Sequence, residues 1–204
     1  PRPPAPVPHA SCWAASPHSP LAPYRLATIL LLVPCACYRP HYGYTSISLL
    51  PLTLPGPGDN FALDSSHVLP ALIRKCLEGV ENGAEDIEVW GDGSPTREFL
   101  YVEDAAEGIL LGAERYDSSE PVNLGSGREI SIKDLVAIIA RLTGFRGSIR
   151  WDHSKPNGQP RRCVDTQRAE QRFGFRASVA LEDGLMRTVA WYAAQRTHAS
   201  ASTR

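Results

Sequence analysis

The sequence predicts an α/β fold. From about Tyr44 onward, strand-like runs alternate with helical patterns, glycine-bearing turns separate them, and apolar residues recur at helical spacing. A chain of 204 residues is long enough for one good-sized domain. Its 43% hydrophobic and 21% charged residues are an ordinary globular balance.

The first stretch reads differently. Residues 1–43 are crowded with Pro, Ala and Ser and hold no lasting period of 2 or 3.6, so they are expected to form a low-complexity tail, disordered or foreign to the domain behind it. Within it, Leu26–Val33 is apolar but short of the roughly 20 residues that a membrane-spanning helix takes. Residues 45–52 (TSISLLPL) then read as a strand, and residues 55–60 (PGPGDN) as a loop.

Residues 65–83 predict a helix, with Ser65 or Ser66 as its cap, Pro70 near the first turn and Gly83 beyond the end. Two strands, IEVWG and REFLYV, flank the Gly91-Asp92-Gly93 turn. The next helix, EDAAEGILLGAERY, presents 105, 106, 109, 110 and 113 as its apolar face, with Glu103 and Asp104 favoured by the helix dipole. PVNLGSG is a strand entering a glycine turn. Ser131 and Asp134 approximate a capping box for a helix whose stripe is Ile132, Leu135, Val136, Ile139 and Leu142. SIRWD is a short strand, SKPNGQPRR a polar loop, and SVALEDGLMRTVAWYAAQR a final helix. Residues 197–204 are expected to be a disordered tail.

A net charge of −1, with both signs interspersed, offers no electrostatic footprint for nucleic acid or an anionic membrane. Cys12, Cys35, Cys37, Cys76 and Cys163 lack paired metal-ligand spacing. They read as free thiols, which points to a reducing, cytoplasmic compartment, and no metal is expected.

Arg97 stands just before a short apolar run. It is either a solvated strand-edge charge or a planar fork suited to a phosphate. His67 opens a helix, where a solvated imidazole or an acid–base group would both fit, since imidazole titrates near neutral pH. Lys75 follows eight residues later, two turns along roughly the same face. Trp90 closes a strand.

Several phrases, in order, resemble the C-terminal half of the GDP-L-fucose synthase family of extended short-chain dehydrogenases/reductases: SLLPLTLPGPGDNF, SHVLPALIRK, VWGDGSPTREFLYVEDAAEGI, PVNLGSGREISIKDL, WDHSKPNGQPRR and a final WY. The resemblance implies that residues 44–196 are the C-terminal part of an NAD-dependent epimerase/dehydratase-like domain. Its fold would be an incomplete Rossmann-type fold with a sugar-nucleotide-binding domain. The family epimerises GDP-4-keto-6-deoxy-D-mannose at C3 and C5 and reduces it at C4 with NADPH, giving GDP-L-fucose.

By resemblance, His67 is the catalytic acid and also touches the cofactor. Lys75, Trp90, Arg97 and Asn157 contact the GDP-sugar, with Arg97 at its diphosphate. Pro51, Leu52, Thr53 and Leu54 flank the NADP(H) nicotinamide. A homodimer is allowed by resemblance. The chain departs from the family where Pro-Thr-Asn-Leu-Tyr-Gly-Pro is usual and Pro51-Leu52-Thr53-Leu54-Pro55-Gly56-Pro57 stands instead. It departs again where Asn157 replaces a common Asp. No Tyr-xxx-Lys and no glycine-rich GxxGxxG turn occurs in the 204 residues, so the chain is expected to be a fragment, inactive by itself. The alternatives are another nucleotide-sugar epimerase or dehydratase, or a non-catalytic sugar-nucleotide-binding remnant.

Overall fold

A computed structural model describes residues 22–202, with side chains placed from Leu26 to Thr197. In chain order the elements are α1 (Ala22–Tyr42), β1 (Leu49–Pro51), α2 (Val68–Glu81), β2 (Asp86–Trp90), β3 (Thr96–Glu98), α3 (Val102–Arg115) and β4 (Val122–Leu124). There follow β5 (Glu129–Ser131), α4 (Ile132–Thr143), β6 (Ser148–Asp152), β7 (Arg161–Arg162), α5 (Gln167–Phe173) and α6 (Leu181–Ser202). Strands β1 and β4 pair in parallel, as do β2 and β6. The third sheet has β3 in the middle, antiparallel to β5 and parallel to β7. The α/β class expected from the alternation is what forms.

Two cores hold these layers. In the first, Leu69, Leu72, Ile73 and Cys76 of α2 meet Leu135, Val136 and Ile139 of α4, with Leu185 of α6 and Ile87 and Val89 of β2. In the second, Leu100, Val122, Leu124, Phe173 and Phe175 join α3, α5 and the β1–β4 pair. Each fully buried Leu, Ile or Phe side chain contributes about 1.5–3 kcal/mol through removal from water. Sites on the β2–β6 and β3 sheets therefore rest on rigid ground.

Helix α4 forms as its sequence predicts. The Ser131 hydroxyl accepts a hydrogen bond from the Asp134 amide at 3.0 Å, and the helix closes on Gly144 at φ 77°. Ser131→Ala should lower stability by about 1 kcal/mol, or the unfolding midpoint by roughly 2–4 °C, in a thermal melt followed by circular dichroism. An unchanged midpoint would remove the cap from the account.

Elsewhere the structure differs from expectation in instructive ways. Residues 22–42 of the expected tail form helix α1, whose side chains are largely exposed except Leu32. It is tied down by Arg39, which pairs with Asp117 at 2.5 Å. Residues 1–21, including Cys12, lie outside the described residues. At the other end α6 runs to Ser202, past the expected boundary at 196.

Helix α2 is capped at His67, with no side-chain capping bond, rather than at Ser65 or Ser66. A turn draws both serines back, their amides bonding the Ala62 carbonyl. REFLYV is a strand only through Glu98, because Phe99 bridges singly to Thr53 and α3 begins at Val102.

The predicted apolar face of α3 is also displaced. Asp104, Ala105, Gly108 and Gly112 are its buried residues, whereas Ile109 and Leu110 face outward, Leu110 at 63% exposure. The cause is close approach. A Cβ on Gly108 would lie 2.9 Å from the Phe175 ring, and one on Gly112 would lie 3.0 Å from Leu49. Small residues therefore take the inner side. Asp104 is spent on structure there, accepting bonds from the Ser178 amide at 3.1 Å, the Ser178 hydroxyl at 2.9 Å and the Val179 amide at 3.0 Å.

Candidate sugar-nucleotide site

The turn after β2 prepares the site. Gly91 and Gly93 adopt φ 82° and 76°, conformations that L side chains avoid. At Gly91 a Cβ would also meet Asn157 Oδ1 at 2.1 Å, and at Gly93 it would meet the Trp151 ring at 2.6 Å. The backbone must be bare at Gly91 for the loop 153–160 to lie against the turn, and at Gly93 to admit the Trp151 ring of β6.

Three sequence-predicted residues, Trp90, Asn157 and Arg97, meet at that loop, and Lys75 is held beside β2. Lys75 Nζ donates to the Glu88 carbonyl at 2.8 Å, two residues before Trp90. Trp90 is opposite Asp152 in register and 61% exposed, with Lys155 Nζ 5.5 Å from its ring centroid. Asn157 Oδ1 accepts the Asp92 amide at 2.9 Å. Arg97 Nη1 donates to the Gln159 carbonyl at 2.6 Å and to its neighbour Thr96 at 2.7 Å. The loop is thus held at two points, by its own Asn157 on the Asp92 amide and by Arg97 on the Gln159 carbonyl.

Arg97 is half-buried and, among the described residues, no carboxylate pairs with it. Burial depresses its pKa, and the nearby Arg162 guanidinium depresses it further. A cation held against its solvation preference and beside a like charge is poised for an anion.

Arg162 is a residue that motif reading missed. It is exposed, stands in register with Arg97, and has no carboxylate partner among the described residues. The doublet carried a signal, since adjacent strand residues face opposite sides. Arg161 is committed to Glu129 on the far side, its Nε donating to Oε1 at 2.9 Å and Oε2 at 2.8 Å. That pairing, with the Thr96 hydroxyl at 2.9 Å, holds the Glu129 carboxyl down at about 2. Arg162 is left on the Arg97 side, so two guanidiniums stand side by side, an arrangement suited to paired phosphate oxygens.

His67 is not drawn into this group. It is exposed at the α2 N-cap, its carbonyl accepting the Ala71 amide at 3.1 Å. Pro51, Leu52, Thr53 and Leu54 leave the end of β1 and pass beside the continuation of β3. The Leu52 amide bonds Leu124 at 3.1 Å and the Thr53 carbonyl bonds Leu100 at 3.1 Å, leaving the Thr53 hydroxyl as the one polar side chain among the four.

Cys163 and Cys76 are buried. Burial and the neighbouring Glu98 push the Cys163 thiol up to about 12, and burial pushes Cys76 up to about 11. Both stay protonated at neutral pH and serve the core rather than nucleophilic chemistry. Among the described residues no group of three His, Cys, Asp or Glu side chains is placed to hold a metal. No described helix is long and apolar enough to cross a membrane.

Comparison with known proteins agrees with this architecture. The profile of the NAD dependent epimerase/dehydratase family matches residues 3–125, a span that takes in most of the segment expected to be a tail. GDP-L-fucose synthase 1 of Arabidopsis thaliana is 41% identical over 189 residues, covering 93% of this chain and 58% of the relative. GDP-L-fucose synthase of Escherichia coli K12 is 37% identical over 179 residues, covering 83% and 56%. Among solved structures, a GDP-L-fucose synthetase from Naegleria fowleri superposes with a TM-score of 0.88 at 29% identity, over 96% of this chain and 62% of that one. Its NADP-bound form gives 0.85. The chain spans less than two thirds of the length of each of these proteins.

Proposed function

The chain belongs to the NAD dependent epimerase/dehydratase family, and from that premise we propose that it forms the sugar-nucleotide-binding part of a GDP-L-fucose synthase. The whole enzyme would epimerise GDP-4-keto-6-deoxy-D-mannose at C3 and C5 and reduce it at C4 with NADPH. The observation that carries this reading is the Arg97–Arg162 pair, two cations in register with no carboxylate neutralising either among the described residues. The relatives' names supply the guanosine nucleotide and the sugar.

In this reading the guanidiniums take the diphosphate, Lys75 and Asn157 border the ligand, and the exposed Trp90 ring offers an apolar face near the nucleotide. By resemblance, His67 at the α2 N-cap serves as the acid during epimerisation. The free thiols Cys35, Cys37, Cys76 and Cys163 support a cytoplasmic setting.

The residues present fit the reduced dinucleotide only along one wall. Residues 51–54 have their Leu52 amide and Thr53 carbonyl already bonded, and no glycine-rich turn opening a helix cradles a diphosphate. No reduction step is therefore derived for this chain.

Calorimetric titration tests the substrate class. GDP-mannose should bind at least about 10-fold more tightly than UDP-glucose, a difference of roughly 1.4 kcal/mol. Equal or reversed affinities would favour another nucleotide-sugar epimerase or dehydratase. Failure of both ligands to bind would end the sugar-nucleotide reading.

A further inference from the structure

We propose that Glu98 is a positioning residue that sets Arg162 beside Arg97, an inference that rests on the reading of this pair as a diphosphate site. Glu98 follows Arg97 on β3, but strand alternation turns it to the opposite face, where it is only 1% exposed. Each carboxylate oxygen there accepts one backbone N–H. Gly127 donates to Oε1 at 2.7 Å and Val164 donates to Oε2 at 2.9 Å.

Those two amides lie just outside the two strands that flank β3, one before β5 and one after β7. Val164 lies two residues beyond Arg162, and Gly127 lies two residues before Glu129, the partner of Arg161. One side chain therefore ties both neighbours of β3 at its own end. β7 has only two residues, too few for a ladder that would fix its position unaided. Like charges at Arg97 and Arg162 also work to part β3 from β7.

The fit is close on every side. A Cβ on Gly125 would lie 2.3 Å from Glu98 Oε1, so the turn after β4 is kept bare to admit the carboxylate. The chemistry selects Glu over its amide, because two donors require two acceptors. Gln would offer one acceptor and turn its NH2 against the other N–H.

The test is a double-mutant cycle on the 204-residue chain with GDP-mannose as titrant. Glu98→Gln should weaken binding by about 3- to 10-fold, and Arg162→Ala by more. The double variant should be no weaker than Arg162→Ala, because Glu98 acts through that guanidinium. Losses that simply add would make Glu98 a general scaffold residue and overturn the proposal. Full affinity in Glu98→Gln, with Arg162→Ala impaired, would overturn it while sparing the diphosphate reading. Full affinity in Arg97→Ala and Arg162→Ala would sink that reading and the proposal together. Should Glu98→Gln not fold, amide hydrogen exchange on the unaltered chain decides. Saturating GDP-mannose should slow exchange at Gly127 and Val164 by about 10-fold, and unchanged exchange would overturn the proposal.

Discussion

Purified as its 204 residues and given GDP-4-keto-6-deoxy-D-mannose, the chain will leave NADPH unoxidised. Reduction at C4 needs a proton donor at the carbonyl oxygen and a bound hydride source. No Tyr-xxx-Lys occurs anywhere in the sequence to supply the first, and no glycine-rich turn to seat the second. A positioned acid or base is commonly worth about 10²–10⁴-fold, before the positioning of two substrates is counted. The expected rate is therefore the uncatalysed one, and absorbance of the reduced nicotinamide over hours is sufficient to check it. Measurable turnover would mean that the acid and the cofactor seat lie among side chains to which no such role falls here.

Binding should depend most on Arg97. Hydrogen bonds to charged groups are worth about 1.5–3 kcal/mol, so Arg97→Ala should cost roughly 10- to 150-fold in affinity for GDP-mannose. Arg97→Lys should fall between that variant and the unaltered protein. It keeps the charge, but an ammonium cannot present two parallel donors, nor bond Gln159 while facing a phosphate in the same plane. Calorimetry on the three proteins gives the ordering. Equal affinities would return Arg97 to a strand-edge charge, solvated on one side and bonded to the Thr96 and Gln159 carbonyls on the other.

Much of the frame was legible in the sequence because it depends on local rules. The α4 stripe and its Ser131 cap follow from spacing and hydroxyl chemistry, and both appear in place. The α3 face was misread because periodicity rewards large apolar residues. The decision there was made instead by how closely the helix lies to Phe175 and Leu49, which only glycine permits. Helix α1 was hidden by prolines, two of which, Pro34 and Pro40, lie inside it. At the site, Lys75, Trp90, Arg97 and Asn157 are motif members; Trp90, Arg97 and Asn157 meet at one loop, and Lys75 bonds the β2 backbone. Their mutual placement depends on Gly91, the Asn157 amide and the Gln159 carbonyl, which are separated by more than 60 residues in the chain from what they touch. Glu98 and Arg162 escaped for the same reason. Nothing nearby in sequence marks a carboxylate as an acceptor for Gly127 and Val164, and strand alternation separates the two arginines of the doublet without showing which one Glu129 takes.

The grip of two backbone carbonyls on Arg97 bears on the heat and entropy of docking. A long basic side chain carries about 2 kcal/mol of rotamer freedom, which an unrestrained arginine would surrender on meeting its ligand. Here much of that freedom is lost when the chain folds, so the guanidinium plane is fixed before any anion arrives. Association at such a preordered fork carries a smaller entropic penalty and requires less rearrangement on encounter.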